Sequence, residues 1–194
     1  MSTRQQLILE TATRLIARRG VRGLRVEELA AEASVSTGLI YYHFGDRAGL
    51  MRRTLEFINE RAERYTEPSA SRRTDPRRHL EEMLLLELQD DPMVVENSTA
   101  WGEFRASARF DPDLREQLRE STARWVEYAA DLIQRAQQAG TARDEVVAPD
   151  AAERITALVE GLSERWLTGT LTLKRARGLL RDALVLELGP AARK

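Results

Sequence analysis

VEELAAEASVSTGLIYYHF, residues 26–44, holds two short helical segments joined by a few residues. Residues 26–33 read as a short helix with Leu29, Ala30 and Ala33 turned inward. Ser34-Val35-Ser36 reads as a tight connector, and 37–43 as a second short helix. Two helices this short bury little against each other, and the pairing makes physical sense when the second is offered outward to a groove. That second helix opens with Thr37 and Gly38, small enough to approach base edges closely. It closes with Tyr41, Tyr42 and His43, which can donate hydrogen bonds to phosphate oxygens. Phe44, Val35 and Leu50 fall to the core. Arg47 stands at the next helix start, where the helix dipole disfavours a cation and a nearby phosphate would account for one. The plainer alternatives are a Tyr41 packed on the first helix and an Arg47 that is simply solvated.

Upstream, residues 4–19 place Leu7, Ile8, Thr11, Ala12, Leu15 and Ile16 on one helical face, and Gly20 stops the run. Downstream, 47–65 predicts a longer helix carrying Leu50, Met51, Leu55 and Ile58, followed by a polar loop at 66–76, TEPSASRRTDP. Asp75-Pro76, Asp91-Pro92 and Asp111-Pro112 each offer a capping carboxylate before a proline already set to helical φ. They predict helices near 76–89, 92–108 and 112–139, the last ended by Gly140. Pro149-Asp150 signals a further helix to about 168, and a final one spans 172–188 before Gly189-Pro190. No window shows the period-2 alternation of a strand. The expectation is an all-α chain of about nine helices.

Net charge is −1, but its distribution is uneven. Residues 1–53 carry nine arginines against five acids, a surplus of four, which leaves the rest with a deficit of five. A basic head on an acidic body suits a chain that docks one end on phosphate. Cysteine is absent, which removes disulfides, zinc–thiolate sites and thiol chemistry together. No apolar run is long enough to cross a bilayer, and the first twenty residues lack the apolar centre of a signal peptide, so a cytoplasmic location is expected.

The stretch 26–50 resembles the TetR family of transcriptional regulators, in which a helix-turn-helix ends in a Tyr-Tyr-His-Phe-like tetrad followed by Lys or Arg and Leu. Here the residues are Tyr41-Tyr42-His43-Phe44, then Arg47 and Leu50. The resemblance is close over roughly residues 4–53. It implies a three-helix DNA-binding domain at 1–48, with its motif at 25–44, and a helical ligand-binding and dimerisation domain at 49–194. With the reading of the residues above, it points to DNA contacts from Thr37, Gly38, Tyr41, Tyr42, His43 and Arg47. Arg25 stands where the family usually has Thr or Ser, and could take over that residue's phosphate contact. Two departures stand out: Arg25-Val26 replaces the usual capping Thr or Ser, and Ser34 replaces the usual turn glycine, so a lost cap and a strained turn are expected.

WGEFRASARFDPDLREQL at 101–118 and AERITALVEGLSERW at 152–166 are similar to a TetR C-terminal type that includes BetI-like repressors. The resemblance implies a pocket among the middle helices and a dimer face on the last two. Trp101, Phe104, Trp125, Tyr128 and Trp166 are then pocket candidates, with core packing the alternative for each. An aromatic pocket suits a cation. Seven acids and no base within 80–103 fit that idea, and fit a solvated acidic face as well. Ile155, Leu158 and Leu162 on one helix and Leu173, Leu180 and Leu184 on the next are candidates for half of a four-helix dimer interface, the alternative being the chain's own core.

Enzymatic readings find little. There are two histidines, His43 and His79, and no HExxH, GxGxxG, Walker or GxSxG pattern, so no catalytic residue, metal or cofactor is expected. The expected function is a regulator, acting as a repressor, that leaves a pseudo-palindromic operator when a small molecule binds. The alternatives are a ligand-independent architectural DNA binder or an activator.

Overall fold

The computed structural model describes residues 3–67 and 75–190. Positions 68–74 of the expected polar loop lie outside the described residues, within which every regular element is a helix. These are α1 (Thr3–Gly23), α2 (Val26–Glu32), α3 (Thr37–Phe44), α4 (Arg47–Tyr65), α5 (Pro76–Leu86), α6 (Pro92–Ala108), α7 (Pro112–Gln138), α8 (Ala148–Leu167) and α9 (Leu173–Leu188). Each Asp-Pro pair caps its helix. Asp75 Oδ1 accepts from the amides of Arg77 and Arg78, Asp91 Oδ1 from Met93 and Val94, and Asp111 Oδ1 from Asp113 and Leu114. α8 begins at Ala148, without a side-chain cap from Val147.

The described chain packs as two compact units. One comprises residues through Ala62 together with Val95–Glu120. Its core unites Ile8, Leu9, Leu15 and Ile16 of α1, Leu29 of α2, Ile40 of α3 and Leu50, Leu55 and Ile58 of α4 with Ala100 and Phe104 of α6. Because α1 is covered from more than one side, Leu9 and Thr13 are buried beside the expected stripe, while Leu7 is exposed. Gly20 breaks α1 with φ 74° and ψ 166°, a conformation reserved in practice for glycine.

The other unit comprises Glu63–Val94 and the described residues from Ser121 onward. Leu80 and Leu84 of α5, Leu132 and Ile133 of α7, Ile155, Val159 and Leu162 of α8, and Leu180, Leu184 and Leu188 of α9 form its core. At one end Arg77 reaches from α5 to the carbonyls of Leu184 and Gly189. At the other, Arg177 reaches from α9 to those of Leu85 and Leu88. The two helices thus clamp one another's C-terminal ends with guanidinium groups, where orphan carbonyls and the negative helix pole favour a cation.

Candidate nucleic-acid interface

The local physics of residues 25–50 sets what α3 presents. α2 begins after Arg25, whose side chain makes no cap. At the other end of α2, the amide of Val35 donates to Ala30 and that of Ser34 to Ala31, a Schellman closure with Ser34 at φ 54°. A non-glycine residue held there costs on the order of 1 kcal/mol. The missing cap and the strained turn are both present as the sequence suggested. Ser36 supplies the next cap, its Oγ accepting from the amide of Leu39 at 3.1 Å.

On α3, Ile40 and Phe44 are buried, so the opposite face looks out. Tyr42 is 82% and Tyr41 44% exposed. His43 is half-buried, with its ring edge-on to Tyr42 and Phe44. Thr37 is half-buried and Gly38 exposed at the N-terminal end. A Cβ at Gly38 would touch only Ser36 Oγ, at 3.8 Å. Nothing inside the chain therefore requires glycine, although a helical glycine costs about 1 kcal/mol relative to alanine.

Arg25 and Arg47 are exposed beside this helix. Arg47 is also engaged within the chain: its Nη2 donates to the carbonyl of Val21 at 2.7 Å, tying the start of α4 to the end of α1. Two residues that the sequence reading passed over build the same corner. Asp46 caps α4 by accepting from the Gly49 amide at 2.7 Å. Gly49 is obligatory, because a Cβ there would lie only 2.1 Å from the carbonyl oxygen of Phe44. The Asp cap was legible from its residue type, whereas the Phe44 contact exists only once α3 and α4 are folded together.

The aromatic candidates do not form one group. Phe104 is buried, and Trp101 partly buried, in the core of the unit that carries α3. Trp125 and Trp166 pack partly buried against the core of the other unit. Tyr128 there is half exposed, its hydroxyl 3.1 Å from Nε2 of the buried His79. A groove of about 440 Å³ between α5 and α9 is lined by Glu81, Glu82, Leu85, Leu86, Arg177, Arg181 and Val185, none of them a predicted pocket residue. In the same unit the Tyr65 hydroxyl donates to Glu87 Oε2 at 3.2 Å. Burial, with the Glu160 carboxylate adding to it, pushes Glu87 up to about 7 despite that bond. A carboxyl raised in this way contributes stability that is fully present below about 4.5 and lost as pH rises through about 7.

Of the six dimer candidates, Ile155, Leu162, Leu180 and Leu184 are buried in the chain's own core. They cannot also line a contact with a second copy. Leu158 and Leu173 are partly buried at its edge. The outward side of α8 and α9 carries instead Ala157, Gly161, Gly178 and Leu186, the last 76% exposed. A Cβ at Gly161 or Gly178 would meet nothing within 4 Å.

Comparison with known proteins bears on this geometry. Residues 8–54 match the model for bacterial regulatory proteins of the tetR family, and residues 76–189 match the model for the C-terminal region of BetI-type transcriptional repressors. The HTH-type transcriptional regulator BetI of Burkholderia thailandensis is 26% identical over 195 residues, covering 97% of this chain and 95% of that protein. A solved structure assigned to the TetR family from Rhodococcus sp. is 44% identical, with a TM-score of 0.91, covering 97% of this chain and all of that one. A regulator structure from Saccharomonospora viridis, solved in complex with choline, is 28% identical with a TM-score of 0.78, over 97% and 98% of the two chains. The outward α3, its aromatic and basic surroundings and both family matches agree: the chain belongs to the TetR family of DNA-binding transcriptional regulators, not to an enzyme family, and its C-terminal region is of the BetI type.

Proposed function

We propose that this regulator is a homodimeric repressor that a small organic cation releases from a pseudo-palindromic operator. The outward face of α3 carries the reading: Gly38, Tyr41 and Tyr42 lie exposed on a helix whose other face is core. Two copies of α3 would enter successive major grooves about 34–36 Å apart. In this division of labour residues 1–48 read DNA and residues 49–194 bind effector and partner, in the cytoplasm where the DNA lies.

The cation follows from Glu87. A half-buried carboxyl with a second carboxylate acting on it is relieved by a positive charge, and Trp125, Tyr128 and Trp166 in the same unit offer ring faces that attract one. The choline complex of the Saccharomonospora viridis regulator fits this class. α4 begins at Arg47 beside α3 and ends at Tyr65 on Glu87, so an effector that reseats Glu87 would act on one end of that helix. Coupling of about 1–3 kcal/mol would weaken DNA affinity roughly 5–150-fold. The test is fluorescence anisotropy on duplexes from the region upstream of the regulator's own gene, titrated with choline chloride. Choline should release the DNA, and Glu87→Gln should bind DNA normally yet resist release. Retention of DNA at saturating choline and tetramethylammonium would remove the cation from this reading.

The dimer would form on the outer side of α8 and α9. Two glycines that cost helix stability and face open space fit a second copy approaching there. Gly161→Leu and Gly178→Leu should therefore yield folded monomers, whereas Leu180→Glu should unfold the chain. Sedimentation at micromolar concentration with parallel melting curves separates the two. A dimer that survives both leucine substitutions would place the interface elsewhere.

A further inference from the structure

Four of the nine arginines in the head are paired with carboxylates. Arg14 and Arg18 pair with Glu32, Arg19 with Glu28 and Arg53 with Glu56. Among the described residues, Arg4, Arg22, Arg25, Arg47 and Arg52 of the head have no carboxylate within ion-pair distance. Arg22, Arg25 and Arg47 share one corner. Arg22 lies in the last turn of α1, Arg25 immediately precedes α2, and Arg47 opens α4 with Nη2 on the carbonyl of Val21.

Arg22 differs in what holds it. Its guanidinium carbon lies 4.8 Å from the ring centroid of Phe110, in the turn between α6 and α7, and that ring is 71% exposed. A phenylalanine this exposed is costly to keep in water, and the guanidinium covers one of its faces. The chemistry of the contact matters. A carboxylate partner would occupy the N–H donors of Arg22 and cancel its charge. An aromatic face orders the guanidinium while its in-plane N–H groups and full charge stay available to an anion.

We propose that Phe110 presents Arg22 as a third phosphate ligand, which with Arg25 and Arg47 forms a corner gripping the backbone of duplex DNA beside the groove that α3 enters. Arg22 touches the phosphate, and Phe110 is the positioning residue. The assignment rests on the DNA-binding reading, and its test can fail while that reading stands.

The probe is a labelled random-sequence duplex of about thirty base pairs, since backbone binding is independent of sequence. Affinity is measured by anisotropy across a salt series. Arg22→Ala should shallow the log–log salt slope by about 0.9, the contribution of one phosphate contact. Arg25→Ala, made in parallel, checks the corner independently of Arg22. Phe110→Ala should weaken binding, Phe110→Trp should restore it, and Phe110→Ala should add nothing in an Arg22→Ala background. Arg22 and Phe110 both lie at the surface, so melting temperatures should stay near wild type. A wild-type salt slope for Arg22→Ala beside a shallower one for Arg25→Ala overturns the role of Arg22 alone. Wild-type slopes for both overturn the corner. A Phe110→Ala effect that persists without Arg22 overturns the positioning role.

Discussion

Phe104→Ala should destabilise the protein by about 3–5 kcal/mol and weaken DNA binding in step, with no separate loss of effector response. Phe104 is 1% exposed and lies in one core with Ile8, Leu15, Leu29, Ile40 and Leu55, the residues that hold α1 to α4 together. Removing the ring leaves a cavity beneath the helices that carry Tyr41, Tyr42 and Arg47, and close-packed surroundings collapse into such a cavity only in part. Urea unfolding followed beside duplex anisotropy should show both quantities falling together, and DNA binding should recover at lower temperature. A variant that unfolds like the parent but ignores choline would reinstate Phe104 as an effector contact and remove it from this structural role. Trp101, partly buried against the same core, should behave similarly but less severely.

Replacing Arg77 by alanine should cost about 1–3 kcal/mol, because it leaves a buried carbonyl unsatisfied and a half-buried carboxylate unpaired. The side chain is 1% exposed. Its Nε donates to Glu81 Oε1 at 2.7 Å, and its Nη2 to the carbonyls of Leu184 and Gly189 at 3.1 Å each. The Leu184 carbonyl also lies within the hydrogen-bonding reach of α9 itself, whereas the Gly189 carbonyl lies beyond the helix end, where the helix has no donor left for it. Alanine would strand the Gly189 carbonyl and leave Glu81 without its counter-charge. Arg77→Lys should recover little, since one ammonium cannot reproduce the planar fork that reaches Glu81 and two carbonyls at once. Urea denaturation gives the magnitude, and hydrogen exchange near the end of α9 should rise first. A loss below about 1 kcal/mol would mean that water satisfies those carbonyls equally well.

Local chemistry made most of the helical plan readable. Asp-Pro pairs at 75, 91 and 111 announce helix starts because capping and fixed φ act over three or four residues and need no partner elsewhere. The helix-turn-helix was legible for the same reason, as were the missing cap at Arg25 and the strain at Ser34. Outward placement of Tyr41 and Tyr42 followed from the period of their own helix, with Ile40 and Phe44 fixing the inner face.

Which residues share a core was not legible, since apolar spacing shows that a face is covered without showing by what. Trp101 and Phe104 read like Trp125, Tyr128 and Trp166, yet folding assigns the first two to the core beneath α3 and the others to a separate unit. Leu180 and Leu184 read like interface, but they are buried in the chain's own core, while Gly161, Gly178 and Leu186 face outward. Charge behaved the same way. Counting arginines in the head says nothing of Glu28 and Glu32 holding three of them, a pairing that exists only because α1 and α2 pack side by side. Local chemistry thus sets where the helices start and stop. The faces and charges that find partners, Leu9 and Thr13 of α1 among them, are set by packing, because those contacts join residues far apart in the chain.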